Sequence, residues 1–379
     1  MALQQIPAAT VSTGTKVWTG YSTPSFASLS GARSAQTPGF ASTKVYYLGG
    51  YYIFGTSTGV IGYSTDAKTW NYQIIFPANQ RVRAIAFNGT TWVVGGNTGY
   101  LYTSTTLGGS WTSRTSQITA GSSIFDIIWV AGSINLFVLN GDAGGSVNAI
   151  STSPDGITWT ARLSPVNNIQ SIAVNTAQTV LVASHNYAVA NQQAYYSTNG
   201  TSWTLAPSYN VASDGGYIWY MPHADKFNAL SSNVRRASAS VSTQWDTVTY
   251  ESQSPPSFLI SSFPTNNNLN RILPIWDSVN SKYYVLDNVA NGSQSFTVLL
   301  TYSATDVYTR FTTGSNNRYT FAIEKIETIP SAASATPTTT PGVEEISSLG
   351  YGNGIWVLVT GSTSLSSANA GLTVFSTAV

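Results

Sequence analysis

Apolar residues in this chain come in short runs that alternate with polar positions and are separated by Gly, Asn, Ser and Thr. Val82-Arg-Ala-Ile-Ala-Phe87 is followed by Asn88-Gly89-Thr-Thr and then by Trp92-Val-Val-Gly-Gly96; Ile346 to Tyr351, Gly352-Asn353-Gly354 and Ile355 to Thr360 repeat the arrangement far downstream. Period two over a short run is the pattern of a half-buried strand. Asn-Gly between two such runs predicts a hairpin, because a two-residue type I′ turn needs positive φ at both central residues. On this reading the Asn-Gly-Ser/Thr triplets at Asn88, Asn199 and Asn291 are turns rather than glycosylation acceptors. No segment keeps a helical period, and Ile323-Glu-Lys-Ile-Glu-Thr-Ile329 alternates as a strand does.

A second pattern is laid over the first. Tyr63-Ser-Thr-Asp66-Ala-Lys-Thr-Trp70, Tyr102-Thr-Ser-Thr-Thr-Leu-Gly-Gly-Ser-Trp111, Ser151-Thr-Ser-Pro-Asp155-Gly-Ile-Thr-Trp159 and Tyr196-Ser-Thr-Asn199-Gly-Thr-Ser-Trp203 are copies of one phrase. Weaker copies end at Tyr250 and Tyr308. Each unit reads strand, turn, strand, loop, strand, phrase, strand. Four antiparallel strands at this period are the makings of a β-propeller blade. Six phrases mark six blades. A seventh is split between the termini: Gly371 to Val379 stops where a phrase is due, and Ser12 to Thr19, with Trp18, supplies the missing half. The expected fold is therefore all-β, a seven-bladed β-propeller of four-stranded antiparallel blades filling residues 1–379 as one domain. Residues 10–20 complete the last blade, and the N- and C-terminal strands share it. Spare length is expected in an inserted loop at about 318–342, which holds the low-complexity Pro330 to Pro341.

The phrase has a mechanical meaning. An Asp or Asn accepts backbone N–H bonds from the residues two and three further on, a following Gly takes positive φ, and Trp lies over the turn. Asp66 and Asp155 are read as turn residues, since a carboxylate repeated from unit to unit is not a unique active-site acid. The copies at 64–70, 151–159 and 197–203 resemble the Asp-box, or bacterial neuraminidase, repeat Ser-x-Asp-x-Gly-x-Thr-Trp of sialidase-like and many noncatalytic propellers. Gly89 to Ser104 is similar to repeats of photosystem-assembly-type propellers and of propeller modules in bacteriophage virion proteins. The resemblance implies a propeller with its boxes between third and fourth strands, away from a ligand-binding face, and it implies no activity.

Composition narrows the function further. Charged residues make up 8% of 379, where about 25% is usual. Ser and Thr supply about a quarter of the chain, so the surface is neutral and rich in hydroxyls. A net charge of +1 offers no footprint for nucleic acid or anionic lipid. No apolar run of about 18 residues is present to insert in a membrane. Met1 to Gly14 has no basic or apolar leader pattern, so synthesis in a cytoplasm without export is expected. With no Cys and two His, thiolate and zinc sites have no material, and neither cofactor nor metal is expected.

Candidate catalytic groups are sparse. A sialidase-like site needs clustered arginines and a Tyr-Glu pair. Arg81 with Arg83, Arg271 and Arg310 fall near inner or outer strands of different blades, and most of the five Glu flank the inserted loop. Glu324 and Glu327 are three apart, on opposite faces of a strand. His185 and His223 are isolated and read as structural, while Arg235-Arg236 is the only basic pair and the candidate partner contact. The expectation is a noncatalytic virion structural or interaction protein, a bacteriophage tail- or capsid-surface propeller. Its expected partners are other virion proteins and, in the alternative reading as a carbohydrate-binding adhesin or sialidase-like lectin or glycosidase, host-surface glycan. The 47 aromatic residues suit packing first and such contacts second.

Overall fold

The structure, a computed structural model, describes residues 5–6, 18–22, 44–77, 80–118, 121–141, 149–162, 169–185, 194–206, 217–230, 234–238, 246–247, 250–252, 275–278, 280–291, 294–303, 308–313, 316–321, 323–328, 344–362 and 373–377. Among them there is no α-helix. The described strands form eight sheets, seven with four or five strands and one with three. The chain divides into two compact units, Val82–Thr249 with Met1–Leu3, and Gln4–Arg81 with Tyr250–Val379.

The first unit holds four antiparallel meanders. They comprise Val82–Phe87, Trp92–Gly96, Leu101–Ser104 and Thr112–Ser113; Ile124–Val130, Leu136–Gly141, Ile150–Ser153 and Thr160–Arg162; Ile169–Val174, Leu181–His185, Ala194–Ser197 and Thr204–Leu205; and Tyr217–Met221, Lys226–Leu230, Val234–Ser238 and Asp246–Thr247. In each, the strands stand side by side in chain order. Ala84, Ala86, Val93 and Leu101 of the first sheet pack with Ile124, Ile127, Phe137 and Leu139 of the second. Ile128, Val130 and Val138 on the second sheet's other face meet Ile169, Ile172 and Val174 of the third. The third meets the fourth through Ala173, Val182, Ile218 and Phe227. Strands buried on both sides explain the runs Val-Val and Ile-Ile that interrupt the alternation.

In the second unit, Val45–Leu48, Tyr51–Gly55, Val60–Ser64 and Asn71–Ile74 form one meander. The terminal sheet runs Glu344–Gly352, Ile355–Ser362, Thr373–Thr377 and then Trp18–Ser22. Trp18 pairs antiparallel with Thr377 and Ser22 with Thr373, so the N-terminal strand is the outer strand of the C-terminal sheet. That strand spans 18–22, and residues 10–17 lie outside the described residues. The terminal sheet packs on the 45–74 meander through Val357, Val359 and Val374 against Val45, Tyr52 and Phe54. A Cβ on Gly350 would stand 2.5 Å from Val45 Cγ1, so the sheets meet at glycine distance.

Residues 250–328 depart from expectation. Ile275–Asp277, Lys282–Asn291 and Gln294–Ser303 take as their fourth strand Ile323–Thr328, not the segment after Tyr308, and Gln5–Ile6 adds a parallel edge beside Ile275–Asp277. Tyr250 and Tyr308, expected to anchor turns, instead begin two strands that pair parallel to each other, Tyr250 opposite Tyr308. Tyr308–Thr313 then pairs with Asn316–Phe321 in the three-stranded sheet. The excursion therefore lies between Ser303 and Ile323. Of the loop expected at 318–342, residues 318–321 and 323–328 are strand, and 329–342 lie outside the described residues. Period-two patterning marks strands but carries no label for the partner, which is how the pairing escaped sequence reading.

The hairpins divide by turn chemistry. Asn353 and Gly354 have φ of 44° and 82°, the type I′ geometry. Asn88-Gly89 does not form that turn. Four residues, Asn88 to Thr91, connect the strands, and Asn88 Oδ1 accepts N–H bonds from Thr90 at 3.0 Å and Thr91 at 2.7 Å. The carboxamide replaces the tight turn by an Asx turn.

Candidate functional site

The repeated phrase lies between third and fourth strands of its sheet in all four strong copies. Asp155 Oδ1 accepts from Ser153 Oγ at 2.9 Å, Ile157 N at 2.8 Å and Thr158 N at 2.9 Å. Asp66 Oδ1 makes the same set with Ser64 Oγ, Lys68 N and Thr69 N, at 2.9, 2.8 and 2.7 Å. Asn199 Oδ1 repeats it with Ser197, Thr201 and Ser202. The Trp rings close two of the turns by donating back: Trp159 Nε1 to Gly156 O at 2.8 Å and Trp70 Nε1 to Ala67 O at 3.2 Å. The backbone N–H of Thr69, ahead of that of Lys68, holds the Asp66 carboxyl at about 2. For Asp155, desolvation pushes upward, but N–H bonds from Thr158 and Ile157 prevail and hold it below the usual carboxylate range. Carboxylates this well occupied are anionic turn anchors and poor proton donors.

Trp111 sits in a different turn. Thr106 stands where the others have Asp or Asn, and one more residue separates Ser104 from Trp111. Ser104 Oγ donates to Thr106 O at 2.8 Å, and no carboxylate gathers the turn.

The turns also join sheets. Trp159, 5% exposed, belongs to the cluster that includes Val93 of the preceding sheet, and a Cβ on Gly156 would stand 2.8 Å from Val93 Cγ2. Trp203 packs in the cluster holding Ile134 and Val138 of the sheet before it. Ala67 is buried with Val357 and Val359 of the terminal sheet, and Trp70 packs against the same cluster. Each of these three phrases thus seals its sheet onto a neighbour.

A second feature was missed by sequence reading. The first strand of three successive sheets in the first unit carries a β-bulge at the same place, between Val82 and Ala84, Ile124 and Asp126, and Ile169 and Ser171. The extra residues are Arg83, Phe125 and Gln170, each half-buried between buried neighbours. A bulge re-aims one side chain out of the pleat. The Arg83 guanidinium lies 5.4 Å from the centre of the Phe125 ring, and Arg83 Nε donates to Asn97 Oδ1. A cation, an aromatic face and the Asn97 carboxamide are thereby brought together between the first and second sheets. The sequence signals the bulge as a break in alternation at Ile124-Phe125-Asp126 and Ile169-Gln170-Ser171 but not at Val82-Arg83-Ala84.

The remaining candidates are dispersed. Arg235 and Arg236 lie on the third strand of the fourth sheet, Arg235 opposite Ala229 and Thr247, Arg236 opposite Asn228 and Asp246. His185 ends a strand opposite Ile169, and His223 lies in the short 3₁₀ turn Pro222–Ala224. Arg271 lies outside the described residues. Among the described residues no three His, Asp or Glu side chains converge.

No family model matches the chain, and no curated protein matches it. Solved structures do. YCF48 bound to D1 peptide is similar over 100% of this chain and 98% of its own, with a TM-score of 0.51 and 12% identity. The computationally designed Ika8 protein is similar over 90% of this chain and 98% of its own, with a TM-score of 0.45 and 10% identity. With YCF48, a propeller protein, and the stacked four-stranded meanders, the fold is of the β-propeller class.

Proposed function

We propose that this chain is a noncatalytic docking propeller that works within a larger assembly, a virion surface being the setting its sequence fits best. The observation that carries this reading is the disposition of its polar groups. The repeated carboxylates are closed into turns, while three matched bulges lift Arg83, Phe125 and Gln170, a cation, a ring and an amide, out of the strand pleat at half-buried positions. Such groups bind without performing proton transfer. The neutral surface supports the same reading, since 8% charged residues leave little repulsion between docked neighbours. The similarity to YCF48, a propeller bound to a peptide, is in keeping with a protein partner.

The seven sheets of four or five strands support a seven-bladed ring, and the pairing of Trp18–Ser22 with Thr373–Thr377 supports its closure by the two termini. Removing residues 1–22 is expected to lower the melting temperature sharply, and an unchanged melt argues against closure. For the function, purified particles from the source organism probed for this chain test the virion assignment; its absence from every particle fraction defeats it. Turnover of any glycoside by the purified chain, abolished by one carboxylate substitution, defeats the noncatalytic reading.

A further inference from the structure

The seams between sheets in the first unit are closed in different ways at one and the same level. Behind each bulge stands a pair of cross-strand neighbours: Ala84 with Gly95 in the first sheet, Asp126 with Asn140 in the second, Ser171 with Ser184 in the third. The first pair is small and apolar. In the third, Ser171 Oγ donates to Ile218 O at 3.2 Å and accepts from Ile218 N at 3.3 Å, so the hydroxyl is satisfied by the next sheet alone. The fold therefore needs no carboxylate at this level.

The second sheet has one. Asp126 is 2% exposed and Asn140 fully buried, and both lie on the face turned to the third sheet, in line with Ile128 and Val138. Asn140 Nδ2 donates to Ile169 O at 2.6 Å. A carbonyl only accepts, so this bond fixes the orientation of the amide and turns Oδ1 away from Ile169. Asn140 Oδ1 then has no hydrogen-bond partner among the described residues. Asp126 Oδ1 takes the N–H of its own neighbour Ile127 at 3.0 Å, and Asp126 Oδ2 has none. Cross-strand partners have Cβ atoms about 5 Å apart, so one small species can reach both oxygens. Both atoms are buried acceptors, and no described cation or donor stands beside either. A carboxylate buried in its ionised form with nothing to balance it is strongly destabilising.

We propose that Asp126 and Asn140 are the oxygen ligands of a hard cation lodged between the second and third sheets of the first unit. A water molecule could donate to both oxygens but would leave the charge uncompensated. A cation that prefers carboxylate and carbonyl oxygen meets both needs, and calcium and sodium are the two sources of that chemistry. Composition excludes thiolate sites and starves zinc sites but has no bearing on an oxygen-ligated ion. Such an ion would depart from the expectation of no metal, and the register that brings together two residues fourteen apart is what suggests it.

The test is a thermal melt of the full chain, first treated with chelator, titrated with CaCl2 and in parallel with NaCl against choline chloride at constant ionic strength. The expected result is a saturable rise of about 4 °C at a hundredfold excess over Kd with one of the two ions. Asp126→Asn is expected to fold, since its new amide can donate to Asn140 Oδ1, and to lose the saturable response. Asn140→Asp, which keeps an oxygen at the site and adds charge, is expected to tighten binding about tenfold or more. A wild-type melt indifferent to both ions means a water or a neutral acid fills the seam and overturns the proposal. So does a response that survives intact in Asp126→Asn.

Discussion

Two turns of the first unit, 153–159 and 104–111, occupy equivalent places in adjacent sheets and are built differently. In the first, one carboxylate oxygen collects three hydrogen bonds and the Trp159 ring is buried against the preceding sheet. In the second, Thr106 engages Ser104 through its backbone, and Trp111 is only half-buried. Both connect a third strand to a fourth, so the Asp is not needed to make the connection. What it adds is a fixed turn shape, and that shape lets the tryptophan insert between sheets.

The largest effect expected from breaking this difference is in the ring. Trp159→Ala should destabilise by about 3–5 kcal/mol, the cost of emptying a buried aromatic site. Trp111→Ala should cost less, about 2 kcal/mol, because that ring is only partly buried. Denaturant unfolding of both variants checks the pair, and equal losses would show that burial is not what separates the turns. Gly156→Ala comes next, at about 2 kcal/mol. Its φ of 78° disfavours a side chain, and the new methyl would crowd Val93 Cγ2. Asp155→Ala should cost about 1–2 kcal/mol for the lost turn bonds, whereas Asp155→Asn should be close to neutral, since Asn199 already makes the same three bonds. Calorimetry on the two variants separates geometry from charge.

The smallest effect is in pH. The folded Asp66 carboxyl is held at about 2, below the ordinary value of 3.8. The folded state thus binds its proton less readily than the unfolded chain does. Its contribution is present in full well above pH 4 and is lost as pH falls from about 4 towards 2. Asp66→Asn should flatten the stability profile across that window. A mutant profile parallel to the wild type between about pH 2 and 4 would show that the turn bonds do not favour the ionised form.

The turns were legible because every bond in them is local. Asp155 reaches residues two and three ahead of it, so Ser, Asp, Gly and Trp at fixed spacing carry the whole geometry. The same locality misled at Asn88-Gly89, where two residues suggested a type I′ turn and the carboxamide captured the next two N–H groups instead. It also misled at Tyr250 and Tyr308, which share the spacing of an anchor but begin paired strands. Their aromatic periodicity was real; the strand partner was a matter between segments 58 residues apart.

What the sequence determined by itself is the strand content, the repeat and the chemistry of its turns, since these follow from side-chain alternation and contacts within a few residues. Only the tertiary structure decided which strands pair, where the bulges fall and what they bring together. Arg83 meets Phe125 through the packing of one sheet on the next, and Asp126 stands beside Asn140 through the register of two adjacent strands. A slip of one residue in that register would turn one strand's residues to the opposite face of the sheet and separate Asp126 from Asn140.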